Sequence, residues 1–103
     1  MIQGTTPTIL YNLPFSSSLI KSAEITIKYI DNYKKILIKK ELSDCELGEN
    51  TISTMLTQEE TLAIPAKSTV SVQLRILTVD DVVMATEVNT VTVKRLLAKD
   101  VIE

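Results

Sequence analysis

The chain of 103 residues contains no histidine and no tryptophan, and it has one cysteine, two glycines and three prolines. Without histidine, one chain cannot assemble a Ser-His-Asp or Cys-His nucleophilic site. The single cysteine, Cys45, has no partner for a disulfide within the chain, and sites built from histidine and several cysteines are excluded. Because glycine and proline are scarce, no linker is indicated, and we expect a single domain over residues 1–103.

Charge and hydropathy exclude further classes of protein. The formal net charge is −2 and the isoelectric point is near 5.1, so no global positive field is present to hold nucleic acid. No run approaches 18 apolar residues, and residues 1–7 lack the basic and apolar regions of a secretory signal. A lone thiol fits a reducing compartment. We therefore expect synthesis in the cytoplasm and no membrane span.

Three of the most abundant residue types in the chain favour β-strands. Twelve isoleucines, nine valines and thirteen threonines supply β-branched side chains, which suit a pleated surface. Residues 70–76 alternate apolar and polar, which is the clearest amphipathic strand of the chain. A hairpin is predicted between 23–29 and 35–42, because Asp and Asn at 31–33 favour a tight turn.

Turn and capping residues divide the rest of the chain. Residues 47–50 predict a turn and 51–56 a strand, and Thr57 with Glu60 fits a capping box for about one helical turn. Beyond the pair Asp80-Asp81 the inward-facing positions change from even to odd, which predicts a bulge or bend near 89–90.

About seven short strands with one apolar face each must bury those faces against one another. The sequence therefore predicts an all-β fold, an antiparallel two-sheet β-sandwich that is immunoglobulin-like in size. The Cys…Trp…Cys core of antibody domains is absent. Residues 96–103 are either a tail or a short helix, and the pattern does not decide between them.

The reactive side chains are better explained by structure than by catalysis. Cys45 lies between Asp44 and Glu46, and acids raise the pKa of a thiol. Glu60 is explained as the partner of Thr57, and Asp80-Asp81 as a turn with too few oxygens for calcium. The acidic stretch 44–50 is a weak second calcium candidate. We predict no catalytic residue, no cofactor and no metal, so the protein is not expected to be an enzyme.

The charge is unevenly distributed along the chain. Residues 28–40 contain five lysines and one acid, whereas residues 41–60 contain six acids and no base. Such runs are most often solvated surfaces, but they also fit electrostatic complementarity between copies or with a partner. Tyr33, beside Lys34 and Lys35, is a weak candidate for stacking on a glycan or a base.

Three stretches carry a family resemblance that extends over most of the chain. They are the opening MIQGTTPT with the following LPFSSSLIKSAEITI, the central NTISTMLTQEETLAI, and VSVQLRILTVDDVVMATEVNTVTVKRLL. The chain resembles short structural proteins encoded by phages and prophages of Gram-positive gut bacteria. The most specific pieces are residues 56–62 and 72–76, and they contain no catalytic group. Similar sequences have a glycine-containing turn where this chain has Asp80-Asp81.

The resemblance implies a virion component whose partners are other virion proteins and copies of itself, without nucleic acid or membrane. Strand edges and termini are the expected contact surfaces. The candidate interface residues are Ile9, Tyr11, Leu77, Leu96 and Leu97. Two alternatives stay open. One is a β-sandwich binding module for a glycan or a host surface protein that uses Tyr33 or 44–50, and the other is a small cytosolic regulator.

Overall fold

The computed structural model describes residues 1–94. Within them, alternating apolar residues form eight β-strands, and one short α-helix follows the fifth strand. The elements are β1 (Thr8–Asn12), β2 (Ile20–Ile30), β3 (Lys35–Glu41), β4 (Glu46–Leu47), β5 (Thr51–Met55), α1 (Gln58–Leu62), β6 (Thr69–Thr78), β7 (Val83–Ala85) and β8 (Asn89–Thr92). Single 3-10 turns at Ser17–Leu19 and Leu42–Asp44 precede β2 and β4.

The strands form two sheets. One has three strands in the order β1-β5-β4, and the other has five, in the order β3-β2-β6 with both β7 and β8 paired to β6. Every pair of named strands is antiparallel, and one isolated parallel bridge joins Ile2 to Lys94. The predicted all-β antiparallel sandwich is confirmed. The two-residue strand β4 was not predicted, because a single apolar residue, Leu47, shows no alternation.

The core lies between the sheets and follows the two-residue period of the strands. In β2 and β6 the inward side chains are Ala23, Ile25, Ile27, Val70, Val72, Leu74 and Ile76, and all of them are buried. Ile52 of β5, together with Leu56, covers them from the smaller sheet with no exposed surface. The outward alternates are exposed or half-buried, so one face of each strand supplies the apolar burial that stabilises the fold.

The β2–β3 hairpin forms where the sequence predicts it. The carboxylate of Asp31 accepts hydrogen bonds from the backbone N–H groups of Tyr33, at 2.7 Å, and Lys34, at 2.5 Å. The N–H of Asp31 donates to the carbonyl of Lys34 at 2.9 Å. This short side chain therefore satisfies the backbone of the turn.

The capping box of α1 is also confirmed. Thr57 Oγ1 accepts from the N–H of Glu60 at 3.1 Å, and Glu60 Oε1 accepts from the N–H of Thr57 at 2.8 Å. Two of the donors that a helix start leaves unpaired are satisfied in this way. The helix has five residues, and Pro65 follows three residues after its end.

The predicted change of inward parity near the end of the chain occurs between β7 and β8. Met84 lies opposite Ile76, and Val91 lies opposite Val70. The chain advances seven residues from Met84 to Val91, whereas β6 spans only six residues from Val70 to Ile76. The extra residue falls between Thr86, whose N–H bonds to the Leu74 carbonyl at 2.9 Å, and the start of β8. The predicted bulge is therefore present, shortly before 89–90, where the chain passes from β7 to β8 along β6. The sequence pattern also places Val88 inward with Met84, and this is wrong: Val88 is 57% exposed and borders the outer face, because the extra residue precedes it.

Candidate interaction surface

The outer face of the five-stranded sheet points away from the smaller sheet and is formed by side chains of β2, β3 and β6 together with β7. Its central rows are polar: Glu24 lies between Glu41 and Arg75, and Thr26 lies between Lys39 and Gln73. These side chains are half-buried or exposed. Glu24 has an opposite charge on one side, in Arg75, and a like charge on the other, in Glu41, so the row is not neutralised within the sheet.

Two shallow basins lie on this outer face. One, of about 410 Å³, is bordered by Glu24, Glu41, Arg75, Leu77 and Val83. The other, of about 440 Å³, is bordered by Thr26, Lys28, Leu37, Ser71, Gln73 and Val88. Each basin combines polar sheet residues with apolar residues at its margin. Such a mixture of polar and apolar groups is typical of protein interfaces.

An apolar end patch lies where β6 turns into β7. Leu77 and Val83 are directly opposite each other on the outer face, and Val83 is 63% exposed. The N–H of Val79 donates to the carbonyl of Leu19 at 2.9 Å, which ties the start of β2 to this turn. We define the apolar end patch as Leu19, Leu77, Val79 and Val83; Leu77 is half-buried and the other three side chains are exposed.

The opposite margin of the same sheet is a free strand edge. Within residues 1–94, β3 pairs only with β2. Because hydrogen bonding alternates along an antiparallel pair and Asp31 bonds to Lys34, the backbone groups of Lys35, Leu37 and Lys39 point away from β2. Glu41 has the same parity, but its N–H and carbonyl are bonded to Asp44 and Cys45. The edge is thus open along most of β3.

The candidate interface residues are distributed between core and surface. Ile9 and Tyr11 are half-buried and packed against the core, while Leu10 between them is 58% exposed on the outer side of β1. Leu77 lies on the outer face, within the apolar end patch. Leu96 and Leu97 lie outside the described residues, as does the undecided segment 96–103. An interface role for these five residues stays a prediction.

The sequence drew attention to Leu77 alone, although its neighbours are more exposed. Val79, Val82 and Val83 are exposed apolar residues on either side of Asp80-Asp81. Valine is unusual beside an acidic turn, and this pattern was the sequence feature that indicated exposed apolar surface at this end. Their proximity to Leu19 depends on the pairing of β2 with β6. Alternation within one strand cannot reveal that pairing.

Cys45 is half-buried, and its thiol donates to the carbonyl of Glu41 at 3.3 Å. Burial raises the pKa of the thiol, contact with Thr54 opposes that change, and the negative charge of Asp44 adds to it. The raised pKa keeps the sulfur protonated near neutral pH, which disfavours nucleophilic chemistry.

The acidic residues do not converge on a metal site in the described part of the chain. No group of three or more Asp, Glu or Cys side chains in residues 1–94 has a suitable arrangement. Glu60 binds the Lys40 ammonium at 2.8 Å, and Asp81 lies 3.4 Å from the Lys21 ammonium. One acid of each pair, Glu60 and Asp81, is therefore bound by a lysine, and Glu60 also caps α1.

The two tyrosines of the β2–β3 hairpin differ in environment. The hydroxyl of Tyr29 donates to the carboxylate of Asp31, which raises the pKa of Tyr29 and lowers the pKa of Asp31. The side chain of Tyr33 is 97% exposed at the tip of the hairpin. Tyr33 could thus stack on a ligand, but the described residues form no wall around it.

Comparison with known proteins adds no family to this description. The chain matches no model of a known protein family, and it matches no curated protein. In the described residues, no helix has the length and apolar character needed to cross a bilayer.

Proposed function

We propose that the chain is a non-enzymatic structural subunit of a bacteriophage particle, present in several copies and acting through protein–protein contacts. The observation that carries this proposal is the apolar end patch, a cluster of exposed aliphatic side chains beside the short edge strand β7. Exposed aliphatic side chains grouped at one end of a sheet are typical of a contact site. The family resemblance adds the class of particle, so the subunit would be made in the host cytoplasm and act in the virion.

Assembly would proceed by covering the apolar end patch and pairing open strand edges. Each Å² of apolar surface removed from water contributes about 25 cal/mol, before the cost of association is subtracted. The polar rows of the outer face, such as Glu24 with Arg75, keep the free subunit dispersed until a partner covers the patch. Other virion proteins and copies of this chain are the proposed partners.

Incorporation into particles tests the proposal. A strain that produces the particle would carry either the native chain or a variant with Val79→Ser and Val83→Ser, and particles would be purified on a density gradient. We expect the native chain in the particles and at least about tenfold less of the variant, since central apolar contacts contribute most of the binding free energy.

The matched control is Leu10→Ser, which removes an equally exposed aliphatic side chain from the other sheet and should leave incorporation unchanged. Absence of the native chain from gradient-purified particles would refute the proposal. Equal incorporation of the doubly substituted chain would show that the apolar end patch is not the contact.

A binding module for a glycan or a host surface protein is the second candidate, and the exposure of Tyr33 beside Lys34 and Lys35 favours it. An exposed aromatic ring can stack on a sugar while adjacent ammonium groups contact its polar substituents. A glycan array, probed with and without calcium, tests this function. Binding that Tyr33→Ala abolishes would support this function, and absence of binding in both conditions would contradict it.

A further inference from the structure

We propose that the free edge of β3 in one copy binds the acidic segment 44–49 of a second copy. This inference rests on the proposed function, because it names the partner and the contact for assembly of the subunit. We call the first surface the basic edge and define it as Lys28, Lys35, Leu37 and Lys39. The second surface, the acidic segment, contains Asp44, Glu46, Leu47 and Glu49.

The basic edge combines open hydrogen-bonding groups with unpaired positive charge. The backbone N–H and carbonyl groups of Lys35, Leu37 and Lys39 point outward from the sheet, as argued above. In residues 1–94 the two ion pairs use Lys21 and Lys40, so the lysines of the basic edge have no acidic partner there. A strand edge with exposed cations recruits an extended segment with acidic side chains.

The acidic segment offers the complementary chemistry at another strand edge. Within the described residues β4 pairs only with β5. The N–H of Gly48 bonds to the carbonyl of Thr51, so by alternation the backbone groups of Leu47 point to the open side. Asp44, Glu46 and Glu49 are exposed and form no ion pair in residues 1–94.

Each surface also has an exposed leucine among its charges. Leu37 is 47% exposed between Lys35 and Lys39, and Leu47 is 44% exposed between Glu46 and Glu49. Contact between the two leucines would bury apolar surface while lysines and acids of opposite sign meet around it. Such a contact has the apolar centre and charged rim of a protein interface.

The two surfaces lie on the same side of the sandwich. β3 ends at Glu41 and β4 begins at Glu46, and four intervening residues span at most about 14 Å, which suffices to step from one sheet to the other. A second copy related by a two-fold axis could therefore give and receive the same contact. Reciprocity of this kind closes a dimer.

Lysines on an edge strand also have a simpler role, since they prevent edge-to-edge aggregation. If the lysines only repel other strand edges, charges of either sign would serve equally well, and the lysines would need no acidic partner. The two explanations differ in what happens when the sign of the charge is reversed on one surface or on both.

The experiment uses sedimentation velocity of the full chain at low and high salt. We expect the native chain to self-associate in 50 mM salt and to dissociate in 500 mM salt, where charges are screened within a few Å. Lys35→Glu with Lys39→Glu, and separately Glu46→Lys with Glu49→Lys, should each weaken self-association at least about tenfold. Asp44 is left unchanged because it accepts the N–H of Glu41.

Mixing the two variants is the decisive step. The first retains the native acidic segment and the second retains the native basic edge, so an equimolar mixture should form a one-to-one complex. Controls with the same change of charge elsewhere, Lys67→Glu with Lys94→Glu and Asp80→Lys with Glu87→Lys, should self-associate like the native chain. If a reversed variant loses its strand spectrum in circular dichroism, glutamine at the same positions replaces it.

A native chain that stays monomeric at millimolar concentration in low salt overturns this inference, and so does a mixture that gives no complex. Neither result contradicts the proposed function, because that function is tested by the presence of the chain in purified particles. Conversely, a salt-sensitive dimer that never enters particles would support the contact and contradict the proposed function.

Discussion

Tyr11 has a buried hydroxyl group in an apolar environment. Its ring packs against the core from β1, but the hydroxyl oxygen is buried and finds no hydrogen-bond partner in the described residues. A hydroxyl taken out of water without a partner loses its hydrogen bonds to solvent and regains none. The ring therefore stabilises the sandwich while the hydroxyl opposes it.

We predict that Tyr11→Phe makes the protein more stable. Removing the buried hydroxyl should raise the free energy of unfolding by about 1 kcal/mol, measured by urea denaturation. The control is Tyr29→Phe, which removes a hydroxyl that does donate, to Asp31, and should give no gain. A loss of stability in Tyr11→Phe would mean that the hydroxyl has a partner.

Asp81 occupies a backbone conformation that glycine tolerates better. Its φ of 62° places it in the left-handed region, after a turn in which the N–H of Asp81 bonds to the Thr78 carbonyl at 3.0 Å. A three-residue hairpin loop of this kind usually has glycine at that position. The structure thereby assigns the turn that the sequence left undefined at Asp80-Asp81.

We predict that Asp81→Gly stabilises the protein by about 0.5 to 1 kcal/mol, as relief of the left-handed strain exceeds the added entropy of the unfolded chain. The ion pair with Lys21 that is lost is highly exposed and contributes little. Thermal unfolding gives the measurement. Asp80→Gly, one residue earlier and without a positive φ, should lower the melting temperature, and equal shifts for both variants would contradict the argument.

At the scale of elements, Glu60 connects α1 to β3. It caps α1 through the N–H of Thr57 and reaches Lys40 of β3 at 2.8 Å. Partial burial raises the pKa of Glu60, but the hydrogen bonds from Lys40 and Thr57 outweigh it and leave the pKa below the usual 4.5. Both bonds favour the ionised carboxylate, which is why the net shift is downward.

The lowered pKa of Glu60 implies a defined dependence of stability on pH. Its contribution is complete above about pH 4.5, the unfolded value, and is lost as the pH falls through the lower folded value. We predict that Glu60→Gln is less stable than the native chain at pH 7 and that the difference shrinks below pH 4. Urea midpoints from pH 3 to 7 test this. Glu59→Gln, at an exposed neighbour, should leave the native pH profile unchanged.

How far the sequence predicts each element depends on how local its cause is. The β2–β3 hairpin and the α1 cap arise from side chains within three residues of the groups that they bind, and both were predicted. β4 exists because β5 offers it a neighbour, and the apolar end patch exists because β2 pairs with β6. The two-residue period of a strand does not identify the strand that pairs with it, so the sheet order and the patch required the structure.

At the scale of the whole molecule, the two sheets share one core. Ile25 of the five-stranded sheet and Ile52 of the three-stranded sheet are both fully buried and belong to one cluster of apolar residues. The smaller sheet has little apolar surface to bury except against the larger one. We therefore expect the described strands to unfold together as one cooperative unit.

We predict that Ile25→Ala and Ile52→Ala each lower the free energy of unfolding by about 2 to 5 kcal/mol, through lost burial and a residual cavity. Each variant should show a single transition, with the same midpoint by far-UV circular dichroism and by exposure of the core to a fluorescent dye. Leu10→Ala, at an exposed position on β1, should change stability by less than about 0.5 kcal/mol. A second, earlier transition confined to Ile52→Ala would mean that the three-stranded sheet unfolds separately and that the sandwich is not one cooperative structure.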